Sequence, residues 1–275
     1  MELRNATPMQ RALLALRGHW QTALLIAFAA SLIQLAPQVL LYLRPFLTEE
    51  VLDAAQAGNT QMLRTLAGRW VRSGGGWILG LTGFSLLVSP VLTCGLMLHL
   101  LKLHRKQEAV FGDIAARMRY ALKIIALQLL KVGGLLLWML PGILLTGAAF
   151  LLAAPHALQN RMLLNLYLTL SLAGTGWITV ILLMTVYRYA LTDWVQADAP
   201  EKSVRACFRE GIARMKGKRM ALFRAELLCL ILTYLATLLT GTAGVLLMTV
   251  GLMAQLVLHV LQLGIRAAFY LDQTV

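Results

Sequence analysis

Charge is scarce in this chain, and acidic charge is scarcest. Charged residues fill 13% of 275 positions, against about 25% in soluble domains. Only 12 are acidic against 25 basic, a net charge of +13. Hydrophobic residues reach 59%. A soluble domain of this length cannot bury so much apolar surface, and a disordered chain would not carry it. Cysteine is nearly missing. Cys94, Cys207 and Cys229 form no Cys-x-x-Cys pair, and none falls in a predicted external segment. That excludes a secreted disulfide scaffold and a zinc or redox motif of that type. His-Glu-x-x-His, Gly-x-Ser-x-Gly and a glycine-rich loop ending in Gly-Lys-Ser/Thr are all absent, so three common catalytic signatures are excluded. What remains is a polytopic membrane protein, all-α, with no cofactor implied.

The scarce charges divide the chain. Stretches free of Asp, Glu, Lys and Arg run over 18–43, 73–101, 132–160, 162–187 and 227–265. A helix needs about 20 apolar residues to cross a bilayer. The last stretch would be about 58 Å long as one helix, so it divides in two. Thr240-Gly241-Thr242-Ala243-Gly244 supplies the turn. The reading is a bundle of about six spans near 21–43, 77–100, 132–154, 163–186, 222–240 and 245–265. The fifth span must take in Arg224 and Glu226, expected at the water interface; a re-entrant hairpin is the alternative there. Ala27-Phe28-Ala29 resembles a signal cleavage site, but the apolar run continues to Leu43, so an uncleaved first helix is expected.

Basic residues set the orientation. With the first segment inside, inner segments hold 18 of the 25 basic residues and outer segments hold Arg44, Arg64, Arg69, Arg72 and Arg161. Both termini are therefore expected in the cytoplasm. Basic clusters also suit nucleic acid, but topology already accounts for these, and no nucleic-acid partner is expected.

Two inner segments read as basic amphipathic interfacial helices. One lies near 200–220, capped by Asp198 with Pro200 in its first turn, its apolar stripe Val204, Cys207, Phe208, Ile212 and Met215. The other lies near 107–125, with Val110, Phe111, Ile114, Met118, Leu122 and Ile125. Their basic faces nominate Arg205, Arg209, Arg214, Lys216, Lys218, Arg219, Arg117 and Arg119 as contacts for anionic lipid headgroups or a membrane-protein partner. The segments match at an offset of 97: Phe111 with Phe208, Arg117 with Arg214, Met118 with Met215. A weaker third copy, Leu16-Arg17-Gly18-His19, parallels Met215-Lys216-Gly217-Lys218. Three units of a basic segment and two spans would explain this; so would a chance likeness of interfacial helices.

Tyr187-Arg188-Tyr189-Ala190, Asp198-Ala199-Pro200, Met215-Lys216-Gly217-Lys218, Leu222-Phe223 and Ala267-Ala268-Phe269-Tyr270 together resemble a family of bacterial integral membrane proteins. It is catalogued as domain of unknown function 975. Leu137-Trp138-Met139-Leu140-Pro141-Gly142-Ile143 resembles that family's Leu-Trp…Pro-Gly-Ile segment. The likeness covers roughly 85–272, more loosely 10–25. Two features depart from it: Gly251-Leu252-Met253-Ala254 stands where the family often has Pro-Tyr, and the stretch from Pro141-Gly142 to Tyr187 is longer than in many relatives. The resemblance implies a multi-pass fold in a bacterial cytoplasmic membrane and no reaction.

Chemistry inside the membrane is thinly signalled. Span interiors lack Asp and Glu, which argues against proton coupling. Lys131 reads as the inner start of the third span. His99 and His259 are the one histidine pair that could share a site, and Asp193, Asp198 and Glu201 the one acidic cluster near the inner surface. Gly76 and Gly80 form a weak helix-packing pair. Pro37, Pro90 and Pro141 lie within spans and should kink them. The leading functional expectation is a non-enzymatic protein that organises lipid or partner proteins. The alternatives are an uncoupled transporter or channel for an apolar or amphipathic solute, and an inner-leaflet lipid-modifying enzyme.

Overall fold

The structure is a computed structural model. It describes residues 7–43, 50, 53–54, 57–70, 72, 76–110, 112–152, 161–242 and 245–273. Helix dominates, and no strand occurs among the described residues. The elements are α1 (Pro8–Leu16), α2 (Trp20–Leu43), α3 (Thr60–Trp70), α4 (Gly76–His104), α5 (Gly112–Met118), α6 (Ala121–Leu152), α7 (Arg161–Tyr189), α8 (Thr192–Asp198), α9 (Val204–Met215), α10 (Arg219–Thr242) and α11 (Val245–Leu271).

Helices α4, α6, α7, α10 and α11 each hold a segment long and apolar enough to cross a bilayer. Pro8–Leu16 and Trp20–Ile33 meet that measure only together, as a pair bent by 99°, so the described residues hold five such helices, or six if the bent pair is one span. The all-α transmembrane bundle expected from the charge-free runs is the architecture observed. Pro90 and Pro141 lie within α4 and α6. The side chain of Pro37, residues Ser73-Gly74-Gly75 and His156, and the Ala243-Gly244 part of the expected turn lie outside the described residues.

Several boundaries differ from the sequence reading. The helix that carries the expected third span starts well before Lys131. Helix α6 begins at Ala121, because its cations are matched on the protein: Lys131 Nζ lies 2.6 Å from Asp193 Oδ2, and Lys123 donates to the carbonyls of Pro200 and Glu201. The amphipathic helix expected over 107–125 is therefore two pieces, α5 and the first turn of α6, separated at Arg119-Tyr120. Ile124 and Leu127 face the core at 2% and 1% exposure, which packs this turn against protein. The helix expected over 200–220 is α9 alone. Its cap is Ser203, whose Oγ accepts from the Ala206 N–H; Asp198 ends the separate helix α8. A Cβ on Gly80 would meet nothing within the chain, so Gly80 marks no helix crossing inside this bundle. The close glycine crossing is Gly142 with Gly174, where an added Cβ on either would come within 2.8 Å of the other's carbonyl oxygen.

The chain is laid out as short helix, turn, long helix, long helix, three times over: α1-α2-α4, α5-α6-α7 and α9-α10-α11. The two long helices of each set pack on each other. Each short helix leans on the preceding set: α5 on α4, α9 on α7 and α8, and α1 on α11, which closes the circle. Leu16 and Met215 are both fully buried at the ends of their short helices. Gly18 (φ +85°) and Gly217 (φ +76°) turn the chain after them in the left-handed region that glycine tolerates. The middle set turns at Arg119-Tyr120 with no glycine.

Burial concentrates at one end. One cluster joins Ala23, Ile26, Leu100, Leu101, Leu191, Trp194, Leu222, Val260, Ala267 and Tyr270 with their neighbours. At its centre sits α8, in which Thr192, Trp194, Val195, Gln196 and Ala197 are all buried. The α6–α7 hairpin instead exposes Leu137, Phe150, Met162 and Leu172, the surface lipid would cover.

Candidate functional site

The polar groups of the bundle gather at this packed end, which also carries the starts of α1, α6 and α10 and the ends of α4, α7 and α11. Arg105 forks onto Asp198 at 2.6 and 2.9 Å, and the Tyr270 hydroxyl donates to the same carboxylate at 3.0 Å. Arg214 lies 4.7 Å from the Tyr270 ring centroid and pairs with Glu210 at 2.6 Å. Lys202 also pairs with Glu210 at 2.6 Å. The Lys202 hydrogen bond holds the Glu210 carboxyl below its ordinary range, although partial burial pushes it the other way. Arg11 pairs with Asp272, and Tyr120 hydrogen-bonds Glu201.

Two more pairs lie within the bundle. Lys131 and Gln128 both donate to Asp193. Glu226 is fully buried and accepts from Arg266 at 2.6 and 2.9 Å, with the Tyr187 hydroxyl 3.3 Å away. Glu226 is thus a core residue and not the interfacial one expected. Its partner lies 40 positions along the chain, on a neighbouring helix, so no local pattern announces the pair. Arg266, Lys131 and Asp193 line a cavity of about 210 Å³ between α6, α7 and α11.

The nominated basic residues divide into two groups. Arg205, Arg209, Lys216 and Arg119 are exposed and form no ion pair among the described residues. Arg117 is buried, its guanidinium donating to the Ala197 carbonyl at the end of α8, which corrects its assignment as a headgroup contact. Arg214 is spent on Glu210 and Tyr270, Lys218 is exposed and hydrogen-bonds Gln273, and Arg219 is half-buried. The apolar stripe of α9 also differs from expectation. Cys207 and Met215 are fully buried in the protein core, Phe208 lies 5.2 Å from Tyr189, and Gly211 abuts Thr192. Helix α9 is docked on protein through that stripe and offers only its charged face outward.

The acidic cluster and the histidine pair singled out in the sequence are held in separate contacts. Asp193, Asp198 and Glu201 each serve a different partner, His99 is buried within α4, and His259 lines another crevice. That crevice, about 480 Å³, lies between α2, α10 and α11, with Ser31, Thr233, Gln255, His259 and Gln262 among apolar side chains. No group of three or more metal-ligating side chains occurs among the described residues.

An opening of about 770 Å³ was not signalled by any motif. It lies where α1, the end of α4, the 105–109 turn and the end of α11 meet, and is lined by Arg11, Arg17, His19, His104, Lys106 and Glu108 around Leu14, Leu103 and Leu271. These residues come from three distant parts of the chain.

Comparison with protein-family models, curated proteins and solved structures finds no match for this chain.

Proposed function

We propose that this is a non-catalytic bacterial cytoplasmic-membrane protein that organises anionic lipid at the inner surface, with both termini cytoplasmic. Kinship with the domain of unknown function 975 family belongs to the same proposal. One observation carries the reading: helix α9 and its flanking turns present Arg205, Arg209 and Lys216 outward, while the nearby acids are consumed within the protein. Asp198 pairs with Arg105, and Glu210 is shared by Lys202 and Arg214, so neither acid is left for the exposed cations, which face an external anion. Each contributes about 1 kcal/mol near an anionic surface. A protein partner bearing acidic groups would use the same face. The test is the lipid that stays with the full-length protein after mild detergent extraction. The wild type should retain anionic phospholipid above its share of the membrane, and Arg205→Gln/Arg209→Gln/Lys216→Gln should retain the bulk composition. Equal retention by both counts against the proposal.

The crevice between α2, α10 and α11 favours a second reading, an uncoupled carrier for an amphipathic solute. Its polar side chains sit among Phe28, Leu32 and Leu256. Flux of amphipathic dyes through proteoliposomes tests it: His259→Leu should slow transport, and no flux by the wild type removes the reading.

A further inference from the structure

We propose that the 770 Å³ groove between α1 and the 105–109 turn is a binding site for one phosphate ester, the anionic headgroup of a membrane lipid. The inference rests on the membrane-organising reading and adds to it a discrete site, distinct from the diffuse face of α9.

The groove has the form such a ligand needs. Its volume falls within the range of small-molecule sites. Arg17 and Lys106 bring two full cations from opposite walls, and among the described residues neither forms an ion pair. Arg11 is already neutralised by Asp272, and Glu108 adds one negative charge, so Arg17 and Lys106 leave the lining net positive. Leu14, Leu103 and Leu271 supply an apolar wall beside the charges. A phosphate carrying a chain matches that pairing of cation and hydrocarbon; a free inorganic anion uses only half of it.

Lys106 gives an independent reason. Helix α4 ends in a Schellman turn: the Gln107 N–H donates to the Lys102 carbonyl at 2.9 Å and the Lys106 N–H to that of Leu103 at 3.1 Å. The turn requires a left-handed residue, and Lys106 adopts φ +55°. Glycine serves that position with no steric penalty, and the other left-handed residues among those described, Gly18, Gly58 and Gly217, are all glycine. A lysine here costs backbone energy, and what it adds is a cation on the wall of the groove.

The same fact makes the test clean, because Lys106→Gly removes the charge while relieving the backbone. Full-length protein in neutral detergent is titrated with short-chain phosphatidylglycerol, short-chain phosphatidylcholine and inorganic phosphate, and bound ligand is counted by native mass spectrometry. The wild type should bind one phosphatidylglycerol tightly and phosphatidylcholine weakly. Lys106→Gly and Arg17→Gln should each weaken phosphatidylglycerol binding at least about tenfold, the loss of one charge-assisted contact. Lys106→Gly should melt no lower than wild type. Arg205→Gln/Arg209→Gln/Lys216→Gln should keep this one site, so failure of the α9 face and failure of the groove read separately. Inorganic phosphate binding as tightly as the lipid would overturn the headgroup assignment and leave a site for the free anion. Unchanged binding in Lys106→Gly, or equal binding of phosphatidylcholine, would overturn the site itself.

Discussion

At the scale of single residues, the buried pair Glu226–Arg266 is the most exposed to damage. Glu226 has no access to solvent and its carboxylate is satisfied by the guanidinium on both oxygens. Removing one partner leaves a charge in a low-dielectric interior, which costs about 3–5 kcal/mol; replacing both with apolar residues of similar size is often neutral. Glu226→Ala should therefore melt well below wild type, and Glu226→Leu/Arg266→Met should recover most of the loss. If the double variant is as unstable as the single, the pair does more than compensate itself. Gly211 is a second sensitive point. A Cβ there would lie 2.5 Å from Thr192 Cα, and backbone cannot move aside as a flexible side chain would. Gly211→Val should undock α9 and leave the rest of the bundle folded. Cys207 reports on this. It is fully buried, and burial pushes its thiol up, so at neutral pH it should resist maleimide in the wild type and react in Gly211→Val. A Cys94→Ala/Cys229→Ala background isolates the signal.

At the scale of elements, α9 should also respond to acid. Glu210 carries a folded-state pKa below its ordinary 4.5, chiefly through Lys202. A depressed carboxylate contributes stability that is present above its unfolded value and lost as the pH falls through its folded one. The acid-side fall in Tm below pH 4.5 should therefore be shallower in Glu210→Gln than in wild type. Helices α4 and α7 were legible in the sequence because each is an apolar run bounded by charge, and α11 because the turn expected at 240–244 divides a run too long for one span. The start of α6 was not. Lys123 and Lys131 look like span boundaries until their partners, Glu201, Pro200 and Asp193, are brought to them from some 60 to 80 residues away. The helical period of α9 was legible too, but its target was not. Cys207, Phe208 and Met215 at helical spacing fit a bilayer and a protein surface equally well, and only the fold decides that Cys207 and Met215 enter the core and Phe208 meets Tyr189. Lys106 was invisible for a related reason: nothing local marks a left-handed lysine, and the groove it lines is assembled from α1, α4 and α11.

At the scale of the whole molecule, the bundle buries most of its core around α8 at its basic end, and exposes apolar side chains along α6 and α7. The threefold order of short helix, turn and two long helices accounts for this form. Each set brings one basic turn to the same end, and each short helix locks its set to the one before. Positive charge is thereby concentrated around one rim, and the internal acids neutralise the buried part of it. The exposed remainder on α9 is the basis of the proposed function. Its most direct test uses spin-labelled phosphatidylglycerol and phosphatidylcholine in proteoliposomes of the full-length protein. The account predicts that motionally restricted lipid at the protein is enriched in phosphatidylglycerol at low salt, and that enrichment falls as screening shortens to about 8 Å at physiological ionic strength. It also predicts that Arg205→Gln/Arg209→Gln/Lys216→Gln abolishes most of the enrichment, about 3 kcal/mol in all. Equal restriction of the two lipids by the wild type, or enrichment that survives the triple substitution unchanged, would contradict it.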